Sequence, residues 1–132
     1  MPDERRDLRG AILAGLLLTA ALALASCHAP EWLGPETAVA WTPDAAMVRA
    51  LRDTNDLCAG RLLSRPPVAW YVVPGGAFWS PAGEVLGYWT GDQRIYIADT
   101  DTLRHWVLRH ELLHASLGTG HPPVFETCGV MP

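Results

Sequence analysis

In RIYIADTDTLRHWVLRHELLHASLG, residues 94–118, a strand-like pattern is followed by a helical one, and this change decides the fold. The first five residues, 94–98, alternate polar and apolar side chains and therefore predict a β-strand, the last one of the chain. Acidic residues that favour the positive end of a helix come next. A helix is predicted from about Thr102 to Leu117, because Gly118 is a typical C-terminal stop. Four apolar residues are expected on its buried face, namely Leu103, Trp106, Val107 and Leu117.

A second helix is predicted upstream of the strands. Thr42 can cap its first turn, Pro43 suits the first helical position, and Asp44 favours the positive helix end. We expect the helix to end near Cys58, because Gly60 follows as a stop signal. Its apolar stripe is predicted to consist of Met47, Val48, Leu51 and Leu57.

Further strands are predicted between the two helices. Residues 68–73 are rich in β-branched and aromatic side chains, and residues 78–79 and 85–90 offer one or two shorter strands. Turn signals containing Gly and Pro separate these segments. The sequence thus predicts an α+β fold: an N-terminal helix, a small, mainly antiparallel sheet of three or four strands, a second helix and a C-terminal loop.

The N-terminus has the features of a bacterial export signal. Arginines precede an unbroken run of small and apolar residues, which is too short for a comfortable membrane-spanning helix of roughly 20 residues. The tetrapeptide that ends at Cys27 resembles the lipobox, in which the cysteine is lipidated. We therefore expect a signal peptide over residues 1–26, a tether over residues 27–41 and a folded domain over residues 42–132. An uncleaved anchor or a plain secretory signal are the alternatives.

Export explains the cysteine content of this 132-residue chain. With Cys27 lipidated, Cys58 and Cys128 remain, and a pair of cysteines in an oxidising compartment usually forms a disulfide. The net charge of −4 indicates no basic surface for nucleic acid. The expected location is the cell envelope, on the periplasmic or outer-surface side, with the lipid as the attachment to the membrane.

The helix near the C-terminus contains the sequence HELLH, residues 110–114, an HExxH motif. Residues four apart share one face of a helix, so His110 and His114 can bind one zinc ion together. Glu111 stands beside them, where a carboxylate can take the proton of an attacking water and pass it on to the leaving amine. The plain alternative is a helix with two surface histidines, but the apolar residues on this face predict that it is buried.

The run HELLHASLGTGHPPVFETCGVMP, residues 110–132, resembles the metzincin metallopeptidases, whose pattern is HExxHxxGxxH followed by a methionine turn. The resemblance implies that His121 is the third zinc ligand and that Met131 lies in the methionine turn. In the archaemetzincins a cysteine stands just before that methionine, as Cys128 does here. His121 is one residue further from His114 than in the family pattern. Glu126 is an alternative third ligand, as in zinc sites that use two histidines and a glutamate.

Together these features predict a lipid-anchored zinc metallopeptidase with a peptide or protein substrate. The substrate is expected to extend along the strand of residues 94–98, taken as a sheet edge, and to add main-chain hydrogen bonds to it. The alternative is a non-catalytic zinc-binding lipoprotein, in which the metal stabilises a small fold, serves metal handling or supports peptide binding. An open fourth zinc position would distinguish the enzyme from a closed structural site.

Overall fold

The computed structural model describes residues 32–131, which form two β-sheets and three α-helices. The predicted signal peptide and Cys27 lie outside the described residues. Within the described part, no helix is long and apolar enough to cross a membrane. The elements follow one another as β1 (Val39–Trp41), α1 (Ala45–Ala59), β2 (Ala69–Val73), β3 (Phe78–Ser80), β4 (Gly83–Val85), β5 (Gly87–Trp89), β6 (Arg94–Ala98), a 3-10 helix (Asp99–Asp101), α2 (His105–Leu117) and α3 (Val124–Thr127). The predicted α+β class is confirmed.

The main sheet has four strands in the order β1-β2-β6-β5, and β3 and β4 form a separate hairpin. Strand β6 pairs parallel with β2 and antiparallel with β5, while β1 pairs antiparallel with β2. The strand predicted at residues 94–98 is confirmed as β6, but its expected place at the sheet edge was wrong. Strands flank it on both sides, and its four final residues are buried. The edge next to α2 is formed by β5.

The core lies between one face of this sheet and the two long helices. Ile95 and Ile97 of β6 are fully buried, and Leu108 and Leu112 of α2 pack in the same cluster. Side chains two apart on a strand share a face, and residues four apart on a helix do the same, so each element supplies one apolar surface. This packing fixes α2 against the sheet, with the start of the HExxH motif one residue after Arg109.

The start of α1 differs from the prediction. Asp44, not Thr42, is the N-cap: its carboxylate accepts a hydrogen bond of 2.7 Å from the Met47 N–H. The sequence predicts for Asp44 only a favourable charge at the helix end, but a carboxylate one residue before the first helical residue can satisfy a free N–H directly. Leu57, expected on the apolar stripe, is 82% exposed. Gly60 ends the helix, as predicted, and it adopts the left-handed conformation.

Helix α2 begins at His105, three residues later than predicted, because a 3-10 helix takes up Asp99–Asp101. The Asp99 carboxylate accepts hydrogen bonds from the N–H groups of Gly75 and Gly76 and so caps a neighbouring turn instead of α2. Leu103 therefore precedes the helix and is 80% exposed, contrary to the predicted buried face. Gly118 ends α2 as predicted.

Two segments that were expected to be irregular contain regular structure. Strand β1 lies at the end of the predicted tether, since Val39–Trp41 pair in register with residues 70–72 of β2. The predicted C-terminal loop contains the single turn of α3. The predicted disulfide between Cys58 and Cys128 is present, with a Cα–Cα distance of 5.2 Å, and it links the end of α1 to the residue after α3. Around it, Leu113, Phe125 and Val130 form a second buried cluster.

Candidate metal centre

Helix α2 places both histidines of the HExxH motif on one face. The Nε2 atoms of His110 and His114 are 3.1 Å apart, as expected for side chains one helical turn apart that point in the same direction. Both rings are half-buried beneath the loop that follows α2. The helix therefore supplies two ligand atoms with little freedom to separate.

The loop after α2 brings His121 back to this pair. Gly118 and Gly120 have positive φ angles of 90° and 84°, which side chains rarely tolerate, and these turns reverse the chain. The Nε2 atom of His121 lies 3.2 Å from that of His110. Two ligands of a tetrahedral zinc ion, each bonded at 2.0–2.1 Å, stand about 3.3 Å apart. The two separations measured from His110 are close to this value, and the ligand atoms of all three histidines lie within 4.8 Å of one another, so the three histidines can bind one metal ion.

Backbone carbonyls fix the tautomers of the two helical histidines. The Nδ1 atom of His110 lies 2.8 Å from the Val130 carbonyl oxygen, and that of His114 lies 3.0 Å from the Gly118 carbonyl oxygen. A carbonyl only accepts, so each Nδ1 carries the proton and each Nε2 presents a lone pair to the centre. Two lone pairs at 3.1 Å repel each other, and a cation between them removes this cost. Carbonyl anchors of this kind also orient metal-binding imidazoles.

Burial keeps these histidines neutral. Desolvation, together with the neighbouring imidazoles, lowers the pKa of His110 to about 4, although its bond to Val130 acts in the opposite direction. The pKa of His114 is also lowered, mainly by burial. Both side chains are therefore neutral at neutral pH, with one ring nitrogen free of a proton, which is the form that binds a metal.

Glu111 is buried beside the histidines, with 4% of its surface exposed. Desolvation raises the pKa of its carboxyl to about 8, and a hydrogen bond from the Trp89 backbone N–H opposes this shift. Burial disfavours the charged carboxylate, whereas a nearby metal cation would favour it. The acidity of Glu111 therefore depends on whether a cation is bound at the histidines.

Aromatic rings pack around the histidine cluster, a feature that the sequence did not predict. Phe125 is fully buried, and its ring centroid lies 5.0, 4.7 and 5.0 Å from those of His110, His114 and His121. On another side, the ring of Trp89 stacks on His114 at 6.0 Å with an angle of 10° between planes. These contacts restrict the imidazoles to the orientations in which their Nε2 atoms converge. The position of Phe125, four residues after His121 in a turn of helix, carried no recognisable signal.

The remaining predicted site residues occupy less central places. Glu126 is exposed and lies outside the candidate metal-binding group. Among the described residues, that group consists of the three histidines. Cys128 is committed to its disulfide. Met131 is 45% exposed, and the neighbouring Val130 supplies the carbonyl that binds His110. The role of Met131 in a methionine turn therefore stays a prediction.

Two cavities meet at Glu111. One, of about 390 Å³, is lined by the three histidines together with Trp89 and Thr119, among others. The other, of about 430 Å³, extends toward the N-terminal half of α2. His110, Glu111 and Gly87 line both cavities. A metal ion held by the three imidazoles would border this open space, and the carboxyl group of Glu111 lies beside the same space.

The edge of β5 runs beside these cavities. Among the described strands, β5 has a partner on one side only. Leu86 and Thr90, which flank it, both form main-chain hydrogen bonds with β6. Because main-chain groups alternate along an antiparallel strand, those of Gly87 and Trp89 face the open side. The Trp89 N–H is occupied by Glu111.

No protein-family model, curated protein or solved structure matches this chain. The resemblance to metzincins therefore depends on residues 110–132 alone and stays a prediction. What the structure adds is the convergence of the three histidines and their surroundings.

Proposed function

We propose that this protein is a zinc metallopeptidase that hydrolyses peptide bonds at the cell envelope. The observation that carries the proposal is the convergence of three Nε2 atoms, from His110, His114 and His121, next to the carboxyl group of Glu111 and an open cavity. Nitrogen ligands in a tetrahedral arrangement suit zinc, and three protein ligands are typical of catalytic zinc sites. Zinc, when bound there, supplies a Lewis acid that polarises a carbonyl and makes a water molecule more acidic.

Glu111 is proposed as the general base. It takes the proton of the attacking water and later donates it to the amine of the leaving peptide. Its buried position suits both steps, because a carboxyl that is disfavoured as a carboxylate accepts a proton readily. The Trp89 N–H and the adjacent strand hold the carboxyl group at the border of the cavity.

The substrate is proposed to bind in an extended conformation along β5, which replaces β6 as the docking strand. Gly87 presents its N–H and C=O groups, and Trp89 its C=O group, at the open edge, where a peptide can add a strand. The cavity next to Glu111 is lined by Val85, Leu86 and Trp106, among others, so it suits an apolar side chain close to the scissile bond.

The proposed location follows from residues 1–27, which have the pattern of a lipoprotein signal. A lipid on Cys27 would attach the domain to a membrane through residues 28–38, which precede β1. The disulfide agrees with an oxidising compartment, where such bonds persist.

A zinc-binding role without catalysis is the second candidate. The observation in its favour is that the metal would join α2 to the C-terminal segment, because His121 and Val130 approach His110 from that segment. Closed structural sites, however, use four protein ligands. The described cluster has three and faces a cavity.

Metal analysis and a cleavage assay test the proposal together. Purified full-length protein should contain one zinc per chain after dialysis, and His121→Ala should lose it, whereas the control Glu126→Ala should retain it. The parent should cleave fluorescein-labelled casein, and Glu111→Gln should retain zinc but lose turnover. One zinc per chain without any cleavage would favour the second candidate, and a zinc-free parent would exclude both.

A further inference from the structure

Gly87, the first residue of β5, has no backbone reason to be glycine. Its φ angle is not positive, in contrast to glycines such as Gly83 in the preceding hairpin. A side chain would therefore fit the local conformation of the main chain. The reason for a glycine at this position must lie in what surrounds it.

The surroundings leave no room for a Cβ atom. One built on Gly87 would lie 2.7 Å from Oε1 and 3.0 Å from Cγ of Glu111, and 2.9 Å from Cγ1 of Val107. Distances of this size are shorter than van der Waals contact, so a side chain would displace Glu111, Val107 or the strand. The missing side chain of Gly87 thus leaves room beside β5 for the side chains of Glu111 and Val107 from α2.

The Glu111 side chain occupies the space that is left free. Its carboxyl oxygen Oε1 lies where a Cβ atom on Gly87 would collide with it, the carboxyl group accepts the Trp89 N–H, and Glu111 lines both cavities. A shift of about 1 Å in a reacting group can lower a catalytic rate by two orders of magnitude. A Cβ atom at Gly87 would impose a shift of this kind on the carboxyl group, and the three atoms nearest to it belong to Glu111 and Val107, not to a histidine.

We propose that Gly87 is a positioning residue, whose missing side chain gives the Glu111 carboxyl group its place between the β5 edge and the histidine cluster. The inference depends on the proposed function, in which Glu111 is the general base. It predicts that an added methyl group at this position separates metal binding from turnover. A simple packing role, in which Gly87 only accommodates Val107, would instead change the stability of the protein and leave turnover intact.

The chain offers a matched control in Gly91, which lies between β5 and β6. Its φ angle is also not positive, and a Cβ atom there would meet nothing within 4 Å. Gly87→Ala and Gly91→Ala thus add the same methyl group, once against Glu111 and once into open space. Val107→Ala, alone and combined with Gly87→Ala, makes room on the helix side of the contact.

The experiment compares these full-length variants in three measurements: zinc content, kinetics with fluorescein-labelled casein, and hydrogen exchange of the Trp89 amide by NMR in zinc-free protein. In Gly87→Ala we expect one zinc per chain, KM within about threefold of the parent and kcat lower by about a hundredfold. The Trp89 amide should exchange about tenfold faster, because its bond to Glu111 is lost. Gly91→Ala should match the parent in all three measurements. Gly87→Ala should lower kcat less when it is added to Val107→Ala than when it is added to the parent.

Several results would overturn the inference. Values of kcat and Trp89 exchange within twofold of those of Gly91→Ala would show that Gly87 does not position Glu111. Unfolding of both variants that contain Gly87→Ala would assign the residue to packing alone. A parent without zinc-dependent cleavage would refute the proposed function instead. In that case the Trp89 exchange rate, which needs neither zinc nor turnover, still decides whether Gly87 determines the place of Glu111.

Discussion

Replacing Glu111 by glutamine should stabilise the zinc-free protein, and the gain should increase with pH. Burial raises the pKa of Glu111 from 4.5 to about 8, so at neutral pH the carboxyl group ionises when the protein unfolds. Each unit of pKa shift corresponds to about 1.4 kcal/mol. Stability from this group is thus fully present below pH 4.5 and is lost as the pH rises toward 8. Glutamine has a similar shape, can accept the Trp89 N–H, and does not titrate.

The expected magnitude follows from the pH interval. The quantity to compare is the free energy of unfolding of Glu111→Gln minus that of the parent. This difference should be about 3 kcal/mol larger at pH 7 than at pH 4.5, because pH 7 lies 2.5 units above the ordinary pKa of 4.5. The measurement is urea unfolding followed by tryptophan fluorescence in the presence of a chelator, at half-unit steps of pH. The histidines titrate in both proteins, so their contribution cancels in the difference.

Glu126→Gln is the matched control, because this exposed glutamate lies in the same part of the chain without a buried environment. The change with pH measured for Glu111→Gln is judged against the change measured for this control. Zinc at saturating concentration should reduce the advantage of Glu111→Gln, since a nearby cation favours the carboxylate. A difference between parent and Glu111→Gln that does not change from pH 4.5 to 8 would refute the buried, neutral state of Glu111.

The other predictions concern the surroundings of the histidines. Phe125→Ala should lower the free energy of unfolding by about 3–5 kcal/mol, as for other large core truncations. It should also weaken zinc binding, because the ring holds the imidazoles in place. Equal zinc affinity of variant and parent, measured by titration with a competing chelator, would contradict this role of the ring. Replacing Cys58 and Cys128 by serine removes a bridge between residues separated by 70 positions. The chain-entropy treatment gives a loss of about 4 kcal/mol for a loop of this length. Zinc affinity should also decrease, because Val130, two residues after the bridge, orients His110; an affinity that reductant leaves unchanged would exclude this coupling.

The helical half of the site could be predicted from the sequence because it depends on local periodicity. A spacing of four residues places His110 and His114 on one face of any helix, and Gly118 ends that helix in the sequence prediction as in the structure. Strand β6 was predicted with its correct bounds for the same reason, since alternation along a strand is a local property.

Features that depend on distant contacts were missed or misplaced. In the sheet, β6 lies inside and β5 lies at the edge. The sequence did not predict this order, because the alternation of side chains along a strand carries no information on which strands are its neighbours. The ring of Phe125, the carbonyl of Val130 and the space at Gly87 matter only because the C-terminal segment and β5 fold back onto α2. Nothing in the local sequence distinguishes these residues from ordinary core positions.

The third ligand lies between these two cases. The resemblance to a family motif named His121, but the sequence left Glu126 open, because both residues follow His114 within a loop rich in glycine and proline. The sequence thus determined the candidate ligand pair, the carboxyl group beside it and the cysteine pair, through short-range spacing and residue chemistry. Only the tertiary structure brought His121, and not Glu126, into the histidine cluster and set the acidity of Glu111, because convergence and desolvation arise from packing between segments that are far apart in the chain.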